Sequence, residues 1–168
     1  SAAVGALTAP VGLGGLPIAG GLGLLSGLLL GLLRLQAGGP GSEAAAEASL
    51  REALREGDIA PEDVIHVNAH ATSTPKGDAP EYLAMKAVFG DHLDQVQVSA
   101  TKSQTGHLLG ASGAIESILS VLAVHHGQAP VTINLENQDP EIPLNVVTGS
   151  PAQLPEGPRV AVKNSFGF

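Results

Sequence analysis

The stretch TKSQTGHLLGASG, Thr101–Gly113, determines which fold the chain is expected to adopt. It places Lys102 and His107 five residues apart in a turn of small residues. An apolar run at helical spacing, Ala114–Leu122, follows at once. A second histidine-bearing turn lies upstream in VNAHATSTP, Val67–Pro75, and carries His70. Two imidazoles and an ammonium group on turns suit chemistry on a carbonyl or a carboxylate.

The surrounding sequence alternates strands, polar turns and helices. Helices are predicted at Ala44–Arg55, Asp78–Phe89 and Gly113–His126, and strands at Val64–Val67, Val96–Val98, Pro130–Leu135, Asn145–Val147 and Arg159–Val162. The third helix is apolar on most faces, which predicts that it is central. The pattern is that of an α/β protein, in which sites form where neighbouring strands end. His70 and His107 follow two such strands, so we expect their side chains to meet at one end of a sheet.

Each candidate residue also has an ordinary structural interpretation. His107 could cap a helix, but the small residues around it allow close approach of a ligand. His70 could be bonded to the backbone, and Lys102 alone could be a solvated loop charge. Thr72 and Thr74 either form the turn or donate hydrogen bonds to a ligand. The carboxylate of Glu116 lies inside an apolar helix and therefore requires a partner.

Composition excludes several classes of function. The 168 residues contain no cysteine, which excludes disulfides, thiolate metal sites and a cysteine nucleophile within this sequence. The net charge of −8 and the pI of about 5.0 argue against nucleic acid as a partner. No Asp, Glu or Cys has ligand spacing to His70 and His107, so no metal site is predicted.

The first 33 residues contain no charged side chain, and Arg34 is the first. We separate residues 1–40, an apolar leader rich in Gly and Leu, from a domain at residues 41–168. The leader has three interpretations, namely a core segment packed against the sheet or another copy, a membrane anchor, or sequence foreign to the domain. Its length could span a bilayer, but its many glycines disfavour an isolated helix.

The domain resembles the β-ketoacyl-[acyl carrier protein] synthases, condensing enzymes of the thiolase-like fold. The matching stretches are VNAHATSTPKGDAPE at Val67–Glu81, VSATKSQTGHLLGASGAIES at Val98–Ser117, PVTINLENQDPEIPLNVV at Pro130–Val147, and NSFGF at Asn164–Phe168. The resemblance implies an α/β fold with a mixed sheet and helices on its faces. It also implies that the chain is an incomplete C-terminal half.

The resemblance assigns roles to matched positions. It implies that His70 and His107 are the two catalytic histidines, that Lys102 is the active-site lysine, and that Glu116 is the carboxylate of the following helix. It further implies that Thr72 and Thr74 hold the phosphopantetheine arm. Two aromatic residues, Phe166 and Phe168, would line the rim of the site, with Phe168 as the gate.

The implied function is that of a cytoplasmic 3-oxoacyl-[acyl carrier protein] synthase of fatty-acid biosynthesis, an acyltransferase. Its partners would be acyl carrier protein, a second copy in a homodimer, and a half that bears the nucleophilic cysteine. No cofactor is expected, because the substrate brings its own phosphopantetheine. The alternatives are a non-catalytic remnant or binding module that keeps the fold, and a membrane-attached protein.

Overall fold

The computed structural model describes residues 2–9 and 43–166. Its helices are α1 (Glu43–Gly57), α2 (Asp78–Phe89), the single turn α3 (Lys102–Thr105) and α4 (Ser112–His126); its strands are β1 (Ala2–Ala9), β2 (Val64–Asn68), β3 (Gln97–Ser99), β4 (Gln128–Ala129), β5 (Ala152–Gln153) and β6 (Arg159–Phe166). Short 3₁₀ turns occur at Pro61–Asp63, Gly90–Gln95 and Leu109–Ala111. The predicted α/β class is therefore correct.

The main sheet has the strand order β1-β6-β2-β3. Strands β6, β2 and β3 are parallel, and β1 pairs antiparallel with β6, from Ala2 opposite Phe166 to Ala9 opposite Arg159. The sheet is thus mixed, as the resemblance implied. Strands β4 and β5 form a separate two-stranded ribbon.

Helices cover both faces of the sheet. Apolar side chains of α1 and α2, among them Leu50 and Met85, pack with Val67 and Val162 in the larger core. On the opposite face, Asn68 and Lys163 contact Glu116 of α4. Since alternate residues of a strand face opposite sides, each strand contributes to both layers.

Two of the predicted strands are wrong. Residues 130–135 form no strand, and the strand that directly follows α4, β4, ends at Ala129. The segment 145–147 contributes only a bridge between Val146 and Val98. Pro130 opens the first segment and Pro143 lies two residues before the second, and a proline cannot donate a ladder hydrogen bond.

The prediction that α4 is central is also wrong for one of its faces. Ile118, Val121 and Leu122 are 59%, 46% and 43% exposed. Glu116 and Ser120 on the opposite face are buried. Among the described residues nothing covers the apolar face of α4.

Only part of the leader is described. Ala2–Ala9 form the edge strand β1. The three interpretations of the leader concern mainly residues 10–42, which lie outside the described residues. In the described ranges, no helix is long and apolar enough to cross a membrane.

Candidate active site

The two histidines meet beyond the ends of two parallel strands. Strand β2 ends at Asn68 and β3 at Ser99, and the two strands are direct neighbours. His70 follows the first strand, and His107 lies beyond the helical turn α3 that follows the second. Their ring centroids are 5.7 Å apart with the ring planes at 87°. The expected convergence at one end of the sheet is therefore observed.

His107 has a defined tautomer when it is neutral. The backbone N–H of Leu109 donates to His107 Nδ1 over 3.1 Å, and the Ser112 hydroxyl lies 3.0 Å from the same nitrogen. Because Nδ1 accepts, the proton of the neutral ring is on Nε2. Leu109 has a φ of 50°, which is uncommon for a residue other than glycine.

His70 is buried and held neutral. Burial, together with the positive charges of Lys102 and Lys163 and with His107, lowers its pKa to about 4. Its ring also lies edge-on to Phe166, with the centroids 5.7 Å apart. A neutral imidazole can donate a hydrogen bond to an oxygen on which negative charge develops.

The buried carboxylate of Glu116 finds the partner that the sequence required. Its Oε1 lies 2.6 Å from Nζ of Lys102, and its Oε2 lies 3.1 Å from Nζ of Lys163. All three side chains are at most about 5% exposed. One carboxylate therefore bridges two ammonium groups. Lys163 was not among the predicted site residues. A lysine that directly follows the apolar residues Val160–Val162 in a predicted strand nevertheless requires a partner.

Glu81 is a second acid that the sequence analysis missed. Its Oε1 accepts from the backbone N–H of His70 and from Nδ2 of Asn164, and its Oε2 accepts from the backbone N–H of Ala71, each over 2.8 Å. Burial raises its pKa, against the opposing effect of these bonds. The sequence signal that could have identified Glu81 is its position in the first turn of the helix that follows the His70 turn.

The threonines lie on the loop that follows His70. Hydroxyl oxygens of Thr72 and Thr74 are 3.1 Å apart. Thr72 lines a cavity of about 370 Å³, together with Lys102, His107 and Glu81, and the segment 132–146 forms its other side. Thr74 is not among the lining residues and is exposed. Phe168 lies outside the described residues.

The described residues offer no ready metal site. In residues 43–166, no group of three His, Asp or Glu side chains is placed to hold an ion. The site instead combines two imidazoles, two ammonium groups and a cavity whose opposite wall is partly apolar, with Ile133 and Leu144. Such an arrangement can stabilise an oxyanion next to an apolar chain.

Comparison with known proteins identifies the family. A family model described as "Beta-ketoacyl synthase, C-terminal domain" matches residues 36–136. The chain is 47% identical over 119 residues to the 3-oxoacyl-[acyl-carrier-protein] synthase 2 of Coxiella burnetii, and 48% identical over 124 residues to the mitochondrial 3-oxoacyl-[acyl-carrier-protein] synthase of Arabidopsis thaliana. These alignments cover 71% of this chain but only 28% and 26% of the two relatives.

Solved structures show the same likeness. A chain from the complex of a type II PKS acyl-carrier protein with its ketosynthase superimposes with a TM-score of 0.70 at 30% identity, over 76% of this chain and 31% of that one. A chain from the complex of the Xenorhabdus doucetiae ketosynthase with its chain length factor gives a TM-score of 0.66 at 32% identity, over 77% of this chain and 32% of that one.

Proposed function

The chain belongs to the β-ketoacyl synthase family, and we propose that it supplies the decarboxylating part of a cytoplasmic 3-oxoacyl-[acyl carrier protein] synthase. The observation that carries this proposal is the pair of facing imidazoles of His70 and His107 beside the Lys102–Glu116 ion pair. The chain spans about a quarter to three tenths of the length of its curated relatives. Other parts of the activity would therefore come from residues beyond this sequence.

The reaction begins with loss of CO₂ from a malonyl thioester. The bond between the carboxylate carbon and the neighbouring carbon breaks, and its electron pair forms an enolate whose charge rests on the thioester oxygen. Neutral N–H groups of His70 and His107 would donate to that oxygen, each worth about 3–4 kcal/mol. The resulting carbanion attacks the carbonyl carbon of an acyl thioester held on a cysteine. A C–C bond forms, the C–S bond breaks, and its electron pair leaves with the cysteine thiolate. Lys102 and Glu116 organise the two imidazoles.

Neutral histidines suit this step better than charged ones. A protonated imidazolium would hold the malonyl carboxylate as an ion pair, and so oppose its departure. Burial and the neighbouring positive charges keep His70 neutral, and the Leu109 N–H directs the proton of neutral His107 to Nε2.

The substrate would arrive on acyl carrier protein. Thr72 and Thr74 would bind its phosphopantetheine arm, and Phe166 and Phe168 would line the rim. No cofactor other than this arm is needed. The partners that we propose are acyl carrier protein, a second copy in a homodimer, and a half that carries the cysteine. A relative of known structure was solved in complex with an acyl-carrier protein, which supports the first of these.

The test is CO₂ release from malonyl-carrier protein. Alone, the chain should not elongate an acyl group, because it contains no cysteine. Supplied with the N-terminal part of the Coxiella relative, where the family resemblance places the nucleophilic cysteine, it should release CO₂. His70→Ala and His107→Ala should each lower this rate by about 10²-fold or more, and His125→Ala at the exposed end of α4 should not. Equal rates for all four proteins would refute the assigned roles.

The binding cavity supports a second candidate, a non-catalytic module that keeps the fold and this cavity. Such a module would bind acyl carrier protein but release no CO₂, even with the N-terminal part present. Carrier-protein binding, measured by calorimetry beside the CO₂ assay, separates the two candidates.

A further inference from the structure

Lys163 is a second lysine of the site, and none of the assigned roles uses it. It lies in β6 and is only 3% exposed. Its Nζ lies 3.1 Å from Glu116 Oε2 and donates to the Ser165 hydroxyl. Lys102 contacts the other oxygen of the same carboxylate over 2.6 Å. The cluster of Lys102, Glu116 and Lys163 thus contains two cations for one anion.

The position of the second ammonium is electrostatically unfavourable. It lies over the first turn of α4, since a Cβ added at Gly113 would be 3.9 Å from its Nζ. A helix N-terminus carries a partial positive charge and disfavours a cation. Burial lowers the pKa of Lys163, against the opposing effect of Glu116. Stability alone does not require a second buried cation, because a buried ion pair is often no better than an apolar pair.

Two acids face this positive charge, since Glu116 and Glu81 both raise the pKa of Lys163. Glu81, from α2, is fully engaged with the N–H groups of His70, Ala71 and Asn164. Asp78, from the same helix, receives hydrogen bonds from backbone groups of residues 72–74. The positive charges of Lys102 and Lys163 both act on the imidazole of His70, where a negatively charged oxygen would be stabilised.

We propose that Lys163 is a positioning residue for the decarboxylation, an inference that rests on the proposed function. Its ammonium holds the second oxygen of Glu116, so that the first oxygen stays fixed on Lys102. Its charge adds to the positive potential beside His70 and His107, where the enolate oxygen forms. Lys163 exchanges no proton in the step: the electron pair of the broken bond passes to the thioester oxygen, and CO₂ leaves.

A titration of the chain itself tests the electrostatic part. The charged or titratable groups near His70 are Lys102 from α3, His107 from the next turn and Lys163 from β6, together with Glu81 from α2 at its backbone N–H. Glu116 from α4 contacts both lysines. Lys163→Met keeps the bulk and removes the charge, so the pKa of His70, followed by NMR of its ring, should rise by about half a unit. Lys163→Arg should leave it unchanged. Lys86→Met, which removes a surface lysine paired with Asp91, is the matched control.

Rates of CO₂ release, in the presence of the cysteine-bearing part, test the positioning role. Lys163→Met should lower kcat about tenfold with little change in KM, and Lys163→Arg should recover most of the rate. If Lys163→Met does not fold, Lys163→Gln, whose amide can still donate, takes its place in the titration, where the same rise of the His70 pKa is expected. An unshifted His70 titration in the uncharged variant overturns the proposal. If the His70 titration shifts as expected but the parent chain releases no CO₂ in the presence of the cysteine-bearing part, the proposed function is refuted instead.

Discussion

At the scale of single residues, Glu81 determines how His70 is presented. Its carboxylate accepts three hydrogen bonds, two of them from consecutive backbone N–H groups at His70 and Ala71. In Glu81→Gln, the amide oxygen can replace Oε1, but the NH₂ group then faces the N–H of Ala71. We expect a loss of about 1–3 kcal/mol in the free energy of unfolding. Urea denaturation measures it, with the exposed Glu62→Gln as the control. A change equal to that of the control would mean that the turn does not depend on Glu81.

His66 makes the stability of the fold depend on pH. Its Nδ1 donates to the carbonyl oxygen of Gln97 over 2.9 Å, and its Nε2 has no hydrogen-bond partner among the described residues. Burial lowers its pKa to about 4. Between pH 6.5 and 4 the unfolded chain therefore binds more protons than the folded chain, and stability falls as the pH falls through this window.

His66 is expected to lower the free energy of unfolding by about 2 kcal/mol as the pH falls from 7.5 to 5. Urea denaturation at the two pH values measures it, and His66→Gln, which can still donate to Gln97, should remove that share of the pH dependence. The exposed His125→Gln should leave the dependence as it is. An equal slope in His66→Gln and the parent chain would contradict the assignment.

At the scale of elements, the end of α4 depends on Gly127. Its φ of 69° is left-handed, and its carbonyl accepts from the backbone N–H of Leu154. A Cβ at this position would lie 2.8 Å from the guanidinium of Arg159, which itself donates to Val124. Gly127→Ala should therefore lower the free energy of unfolding by about 1–2 kcal/mol. Gly113→Ala, whose Cβ would make only ordinary contacts, should cause no loss; equal losses would argue against this account of the cap.

At the scale of the whole molecule, the apolar face of α4 that no described residue covers should make the isolated chain associate. Ile118 and Leu122 lie four residues apart on it and are both more than 40% exposed. A contiguous apolar face of this kind favours association with another surface. Ile118→Glu combined with Leu122→Lys adds a favourable i, i+4 pair and should shift the chain toward the monomer in light scattering. Leu83→Glu on α2 should not, and a parent chain that is monomeric at all concentrations would refute the expectation.

Local patterns in the sequence were enough to find the elements around the site. Strand β2, helix α2 and helix α4 lie where the periodicity predicted them, within two residues at each end. The prediction of these elements is correct because the side chains that they bury against the rest of the fold recur at a regular spacing in the sequence. Helix α2 begins with acids in its first turn, and α4 ends at a glycine, which are local signals too.

The sequence by itself determined the α/β class, the two histidine turns, and the requirement that Glu116 have a partner. Only the tertiary structure decided that the partner is a pair of lysines, because Lys163 lies 47 positions from Glu116 along the chain and meets it only when β6 joins the sheet beside β2. For the same reason the role of Glu81 and the exposed face of α4 were not predicted. A spacing pattern shows which side chains share a face of an element, whereas long-range packing determines what that face contacts.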